Sequence, residues 1–167
     1  MLYYFSSDLS AWWQAIVSNQ SQAWLTMHSG SMYPLMPTGS QILVTVVKRS
    51  SIQVGDIVLY VDQNQLIAHR IFAINLTQNQ CLQGGDSALT ASIIPVDNII
   101  GVVERIRVNG KEFNLRSRTN QLLTNFMIVS RSNIMILKQR WPKVGYLLHR
   151  ILLRVIYIIF NLRLKIL

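Results

Sequence analysis

The stretch NIIGVVERIRVNG, residues 98–110, decides the fold class of this chain. It is rich in Val and Ile, which favour extended backbone because their branched side chains pack well on a pleated surface. The stretch ends at Asn109-Gly110, a pair typical of a tight two-residue hairpin turn. The pattern therefore predicts a strand over residues 98–108 that ends in an antiparallel turn.

Four further strands are predicted upstream of this stretch. They are short apolar runs separated by turn-forming residues, including Gly55 and the polar segment of residues 62–65. The predicted strands cover residues 41–47, 56–61, 66–74 and 80–83. Several short strands at this spacing are typical of a mainly β domain, here a partly open β-barrel or sandwich over residues 23–115.

The first 22 residues are predicted to form a helical segment. Ser7 and Asp8 form a candidate N-cap, and apolar side chains then recur at helical spacing. These apolar residues are Leu9, Trp12, Trp13 and Ile16. Residues 1–5 carry no basic residue, so we expect no cleavable signal peptide. The paired tryptophans fit two roles equally well, contact with a membrane interface or packing onto the β domain.

The charge is strongly asymmetric along the chain. The net charge of +9 divides into −3 for residues 1–104 and +12 for residues 105–167, where 13 basic residues stand against one acidic residue, Glu112. Such a region predicts contact with an anionic surface, either lipid or nucleic acid. Nucleic acid is the less favoured partner, because no stacking aromatic pattern accompanies the charge. The remaining alternative is a solvated basic face that binds nothing.

Residues 116–167 are predicted to form a basic, amphipathic helical tail that associates with a membrane. Its most apolar part, residues 146–160, is interrupted by His149, Arg150 and Arg154, whereas a spanning helix needs about 20 mostly apolar residues. The polar residues that lie close to one helical stripe are Arg150, Arg154, Asn161 and Lys165. We therefore expect a helix in the plane of the membrane interface. The alternatives are a short span within an oligomer and an apolar face packed onto the β domain.

The residues best suited to chemistry lie in the loop HSGSMYP, residues 28–34. A serine held on such a loop by Gly and Pro becomes a nucleophile when a base is near. His69, on the predicted strand of residues 66–74, can accept a serine proton at neutral pH, because its unperturbed pKa is about 6.5. A carboxylate from the segment Gly84-Gly85-Asp86 can then orient that histidine.

Other chemistries lack the residues that they need. Cys81 is the only cysteine, which excludes an internal disulfide and a cysteine-based metal cage. The three histidines, His28, His69 and His149, show no metal-ligand spacing, and the carboxylates are few and scattered. This pattern argues against metal and glycosidase chemistry. We therefore expect no metal and no cofactor.

The order and spacing of these pieces resemble the signal peptidase I family of serine peptidases. The resemblance is closer to its histidine-using branch, the type found in the endoplasmic reticulum and in archaea, and it covers about residues 25–104. The matching pieces are residues 29–34, Gly39, residues 55–58, His69-Arg70, Gly85-Asp86 and residues 99–101. The resemblance implies a signal-peptidase-like fold.

The resemblance also implies a role for each matching residue. Ser31, the serine before Met, would be the nucleophile, and the hydroxyl of Ser29 would join the backbone N–H of Ser31 in the oxyanion hole. His69 stands where the bacterial housekeeping branch has a lysine base, and no lysine lies between Gly55 and Gly101. His69 would therefore be the general base.

The chain departs from the family pattern at the third catalytic residue. The histidine branch has Gly-Asp-Asn and then one or two aspartates five or six residues on. Here Ser87 follows Asp86, and no aspartate follows at that distance. Asp86 is the first candidate to orient His69, and Asp97 is the second.

These features predict a signal peptidase-like serine endopeptidase that cleaves a membrane-associated or exported protein through an acyl-enzyme. One alternative is a binding module at a membrane surface that keeps the peptidase fold without catalysis. Another is a self-cleaving regulator similar to the SOS-repressor peptidases. Those proteins use a lysine base and an N-terminal DNA-binding domain. Here the lysine is missing, and the 30 residues before Ser31 are too few for such a domain.

Overall fold

The protein is an antiparallel β-sheet followed by two long helices. The computed structural model describes residues 21–63 and 65–166. The strands are β1 (Gln22–Thr26), β2 (Gln41–Thr45), β3 (Ile57–Asp62), β4 (Gln65–Asn75), β5 (Gln80–Gly84), β6 (Ser92–Pro95), β7 (Ile99–Val108) and β8 (Lys111–Asn114). The helices are α1 (Arg118–Arg140) and α2 (Pro142–Ile166). The mainly β class predicted from the sequence is confirmed.

The strands pair in the order β1-β2-β7-β3-β4-β5-β6, and β8 pairs with β7. One edge of β7 pairs with β2, and its other edge pairs first with β3 and then with β8. The pairing register shifts at three places, where β7 carries one extra residue against β2 and one against β3, and β4 carries one against β5. Such shifts bend a strand and increase its twist, so the sheet is not flat.

The five predicted strands are confirmed to within two residues at each end. The turn after β7 also agrees with its sequence, because Asn109 and Gly110 both have positive φ, 51° and 77°. A type I′ turn requires positive φ at both central positions. Three short strands, β1, β6 and β8, have no predicted counterpart. The helical segment predicted for residues 1–22 lies outside the described residues, apart from its end, where Gln22 begins β1.

Both faces of the sheet are buried at its centre. On β3, Ile57 and Leu59 belong to one apolar cluster, and Val58 and Tyr60 belong to a second cluster on the opposite face. This explains why the sequence of β3 is continuously apolar rather than alternating. The first cluster also contains Met32, which follows Ser31, so the candidate nucleophile stands directly above the core.

The two helices form a hairpin that packs onto the sheet. The chain turns at Trp141, and Pro142 begins α2 at a position where a missing N–H costs nothing. Gly145 allows the helices to come close, since a Cβ there would lie 2.6 Å from the Cβ of Lys138. Near its end, α2 places the ring of Phe160 5.1 Å from that of Phe113 on β8. One face of α2 is therefore part of the protein interior.

A second apolar face of α2 is exposed. Its exposed apolar residues recur at spacings of three and four: Val144, Leu147, Leu148, Ile151, Val155, Ile158 and Leu162. Within the described residues, the segment Pro142–Leu162 is the one helix that is long and apolar enough to cross a membrane, with a mean hydropathy of 1.4. Arg150 and Arg154 are also exposed on α2. The structure thus combines a face packed onto the body with an apolar, basic face open to the surroundings.

Candidate active site

Ser31 lies on a loop that the core holds firmly. The two ends of the loop meet, because Met27 N–H donates to the Ser40 carbonyl at 2.8 Å and Gly39 N–H donates to the Met27 carbonyl at 2.8 Å. The side chains of Met32 and Met36 are fully buried. Ser31 itself is partly exposed, so a fixed backbone presents its hydroxyl to the surface.

Ser29 lies beside the candidate nucleophile. The two hydroxyl oxygens, Ser29 Oγ and Ser31 Oγ, are 3.3 Å apart, and either can donate to the other. Within the described part of the chain, the Ser31 backbone N–H donates no hydrogen bond. The structure therefore brings the hydroxyls of Ser29 and Ser31 together.

The loop after β5 packs directly against Ser31. The backbone N–H and the hydroxyl of Ser87 both donate to the Ser31 carbonyl, at 3.0 and 2.9 Å. Gly85 makes an even closer approach, since a Cβ at this position would lie 2.5 Å from the same carbonyl oxygen. Only glycine leaves room for this contact. The position of Ser31 therefore depends on Gly85 and Ser87.

We expect Gly85→Ala to destabilise the protein and displace Ser31. The added methyl group meets backbone atoms, which cannot swing aside as a flexible side chain can. Overpacking of this kind typically costs about 1–3 kcal/mol. Thermal unfolding measures the loss. The control is Gly30→Ala, because the nearest atom to a Cβ at Gly30 is the Thr38 hydroxyl at 3.9 Å. Equal unfolding temperatures for the two variants would contradict the expectation.

His69 lies on β4 and is held by Gln83 of β5. The distance from His69 Nδ1 to Gln83 Oε1 is 2.7 Å, and the Tyr60 hydroxyl is 3.2 Å from the same nitrogen. The Gln83 amide nitrogen donates to Ser92 Oγ at 2.6 Å, which leaves its oxygen facing the imidazole. Because an amide oxygen can only accept, His69 Nδ1 carries the proton and Nε2 keeps its lone pair. This is the tautomer that a general base requires.

Burial keeps the His69 imidazole neutral. Desolvation lowers the pKa of His69 below its ordinary value, and the opposing effects of Gln83 and Asp86 are smaller. Burial also raises the pKa of the neighbouring Tyr60 hydroxyl to about 12, so this hydroxyl stays protonated at neutral pH. The imidazole is therefore ready to accept a proton at pH 7.

Asp86 does not make the contact predicted for it. Both of its carboxylate oxygens accept hydrogen bonds from Arg70, at 2.9 and 2.7 Å, and both side chains are almost fully buried. Among the described hydrogen bonds, none joins Asp86 to His69. The planar guanidinium of Arg70 matches both oxygens at once, and successive residues of β4 point to opposite faces. Arg70 therefore binds Asp86 on one face, while His69 meets Gln83 on the other.

The Arg70–Asp86 pair is structural in this arrangement. Removing one partner of a buried ion pair typically costs about 3–5 kcal/mol, because it leaves an uncompensated charge. A loss of activity on mutating Asp86 would therefore not identify a catalytic role. The second candidate, Asp97, is exposed and forms an ion pair with Arg49. In place of either carboxylate, the groups that contact His69 Nδ1 are the neutral amide of Gln83 and the Tyr60 hydroxyl.

Ser31 and His69 are connected through the last paired residues of β4 and β5. Arg70, which follows His69, pairs with Gly84 at the end of β5, and Gly85, which follows Gly84, contacts Ser31. Among the described hydrogen bonds, none joins the Ser31 hydroxyl to His69. Catalytic hydrogen bonds are often long before substrate binds and shorten in the complex. His69 thus contacts Gln83 of β5, and Ser31 contacts the loop that follows β5.

Gln83 is the site residue that sequence reasoning missed. It ends the predicted strand of residues 80–83, and what distinguishes it is its burial, which the sequence does not reveal. Within residues 21–63 and 65–166, no group of three or more His, Cys, Asp and Glu side chains is placed to hold a metal ion. No protein-family model matches the chain, and no curated protein matches it either.

Proposed function

We propose that this protein is a signal peptidase-like serine endopeptidase with Ser31 as nucleophile and His69 as general base. The observation that carries the proposal is that β5 and the loop after it contact both residues, since Gln83 binds His69 and Gly85 lies against Ser31. A serine loop and a neutral strand histidine that share one neighbouring segment support the assignment of the pair. The order of these motifs along a mainly β domain supports a signal-peptidase-like fold.

The proposed reaction assigns one role to each of these groups. Ser31 Oγ attacks the peptide carbonyl carbon, and its proton passes to His69 Nε2. The Ser29 hydroxyl and the Ser31 N–H donate to the oxygen that becomes negative. The C–N bond breaks, and the amine leaves with the proton from His69. Water then cleaves the Ser31 ester, again with His69 as base. Gln83 keeps the imidazole in the tautomer that both steps need.

An extended peptide is the substrate form that the sheet favours. Among the described strands, β1 pairs only with β2, so one of its edges has no described partner. Strand β1 ends at Thr26, five residues before Ser31. An extended segment that pairs with this edge would be led toward the serine by main-chain hydrogen bonds. The proposed substrate is therefore an extended part of a membrane-associated or exported protein.

The proposed partner surface is an anionic membrane. The second apolar face of α2 and the exposed Arg150 and Arg154 are the features of a helix that lies in the interface. Tyr157 of α2 stacks on Tyr33, with ring centroids 5.9 Å apart, and Tyr33 is two residues from Ser31. A membrane bound at α2 would thus place the nucleophile loop close to the lipid surface.

We expect the double variant Ile151→Glu, Val155→Glu to lose binding to anionic vesicles. Both side chains lie on the exposed apolar face, so the change removes apolar burial and adds like-charge repulsion. Cosedimentation with vesicles of phosphatidylcholine, alone or with phosphatidylserine, measures binding. The control is Ile93→Glu, which places the same charged side chain at a 63% exposed isoleucine on β6 rather than on α2. Equal binding by both variants would contradict a docking role for α2.

The proposal is tested by labelling the full-length protein with a fluorophosphonate, which acylation-competent serines attack. We expect covalent modification of the folded protein at Ser31, located by peptide mass spectrometry. Ser29 and Ser87 are internal controls, because both are near the site but neither has an assigned base. Labelling should disappear after thermal unfolding. A well-folded wild-type protein that stays unlabelled would contradict the peptidase proposal.

A binding module without turnover is the second candidate. The observation that favours it is the neutral amide at His69, because an amide stabilises an imidazolium less than a carboxylate does. A protein of this kind would bind extended peptides at the β1 edge and leave them intact. Peptide binding by a folded protein that fluorophosphonate does not label would support this function.

A further inference from the structure

Arg131 is a buried arginine in the middle of α1, and it reaches the loop beside the active site. The whole residue is only 4% exposed. One guanidinium nitrogen donates to the Gly85 carbonyl at 2.5 Å, and the other donates to the Thr90 carbonyl at 2.8 Å. The guanidinium carbon lies 4.3 Å from the centre of the Phe72 ring. Arg131 thus joins the two ends of the loop from Gly85 to Thr90.

The environment of Arg131 is costly for a cation. Among the described residues, no carboxylate lies within ion-pair distance of it, because Asp86 is bound to Arg70. Its Nε is buried and has no hydrogen-bond partner within the described structure. Burial lowers the pKa of Arg131 accordingly. A methionine could fill such a site without the cost of desolvating a charge, so apolar packing alone does not account for an arginine here.

The contacts of Arg131 lead to the nucleophile in two steps. Arg131 holds the carbonyl of Gly85, and Gly85 lies against the carbonyl of Ser31. In the same loop, Ser87 donates two hydrogen bonds to that Ser31 carbonyl. A loop of six residues needs fixed ends to keep these short contacts in place. The Arg131 guanidinium fixes both ends of this loop from one rigid helix, because its planar fork can bond two carbonyls at once.

We propose that Arg131 is a positioning residue for Ser31, through which the helical hairpin becomes part of the active-site scaffold. This inference rests on the proposed function, because it assigns Arg131 to the reaction of Ser31. Arg131 touches neither the nucleophile nor the substrate. Its role is to fix the Gly85–Thr90 segment and thereby the backbone of Ser31.

The test compares Arg131→Met with Arg131→Lys, and uses Arg118→Met as the control. Methionine keeps apolar contact with Phe72 but loses both hydrogen bonds, whereas lysine keeps the charge but lacks the planar fork that holds two separated carbonyls. Arg118 is an exposed arginine on the same helix. For each full-length variant, the labelling rate is measured at several fluorophosphonate concentrations. This gives the maximal rate constant of labelling and the fluorophosphonate concentration at which the rate is half-maximal.

We expect Arg131→Met to lower the maximal rate constant by about 10²-fold, since a displacement of about 1 Å can cost that much. The half-maximal concentration should stay unchanged, because Arg131 does not contact the probe. Arg131→Lys should lie between wild type and methionine, and Arg118→Met should equal wild type. A folded Arg131→Met protein with the wild-type rate constant would overturn the proposal.

Hydrogen exchange gives a readout that does not depend on activity. We expect the amide of Ser87, which donates to the Ser31 carbonyl, to exchange faster in Arg131→Met than in Arg118→Met, while β3 amides stay protected. If wild type is unlabelled, the proposed function fails, and this exchange still decides whether Arg131 positions the loop. Unchanged exchange at Ser87 would overturn the positioning role even in an active protein.

Discussion

Ser31→Ala is expected to abolish fluorophosphonate labelling and any peptide turnover. The substitution removes only the hydroxyl that attacks, and loss of a catalytic serine typically costs about 10⁶-fold in rate. The fold should survive, because the loop is held by the Ser31 carbonyl and by buried Met32 and Met36, all of which remain. Rates are measured on purified protein, with circular dichroism and thermal unfolding to verify the fold.

Ser29→Ala is the matched control for this prediction. It removes the neighbouring hydroxyl, 3.3 Å from Ser31 Oγ, and leaves the nucleophile in place. Removing one oxyanion-hole donor typically costs about 10²–10³-fold, so labelling should slow but not stop. A Ser31→Ala protein that labels at the wild-type rate would remove Ser31 from the mechanism. Equal losses in the two variants would contradict their separate roles.

The second large effect is expected from the protonation of His69. Only neutral imidazole can accept the Ser31 proton, so the rate should fall as the pH drops through the pKa of His69. Because burial lowers this pKa, the rate should stay near its maximum at pH 7 and decline only below about pH 6.5, the ordinary histidine value. The rate of labelling between pH 4 and pH 8 measures the profile. A flat profile in a folded protein would exclude His69 as the base.

Acid unfolding must be separated from this catalytic effect. A histidine whose folded pKa is lowered contributes stability above its unfolded pKa of about 6.5, and this stability is lost as the pH falls through the folded value. Circular dichroism at each pH identifies loss of structure. His69→Gln is the matched variant, because it keeps a polar side chain beside Gln83 but cannot act as a base. Its residual rate should be low and independent of pH in this range.

Local patterns in the sequence were sufficient for the mainly β class and the position of most strands. The run of β-branched residues in β7 and the pair Asn109-Gly110 determine the backbone conformation at their own positions. A strand and a turn can therefore be predicted there without knowing which distant residues they contact. The three short strands were not predicted in this way, because each forms by pairing with one neighbouring strand, and local sequence does not encode that contact. Strand β8, for example, pairs with the end of β7.

The helical tail was predictable as helix but not as a hairpin. Its spacing of apolar residues and its basic charge are local properties. Which apolar face packs onto the sheet and which stays exposed is a tertiary matter, because both faces of α2 are apolar. The structure selects one through the contact of Phe160 with Phe113 and the close approach at Gly145.

The candidate pair, Ser31 and His69, was accessible from the sequence, because Ser31 lies in a loop of distinctive composition and His69 is one of only three histidines. The tertiary structure decided what surrounds that pair. It joins Asp86 to Arg70 and gives His69 the amide of Gln83. The contact of Arg131 with Gly85 also exists only in the folded protein. Such contacts join residues far apart in the chain through geometry and burial, and no local pattern of residues encodes them.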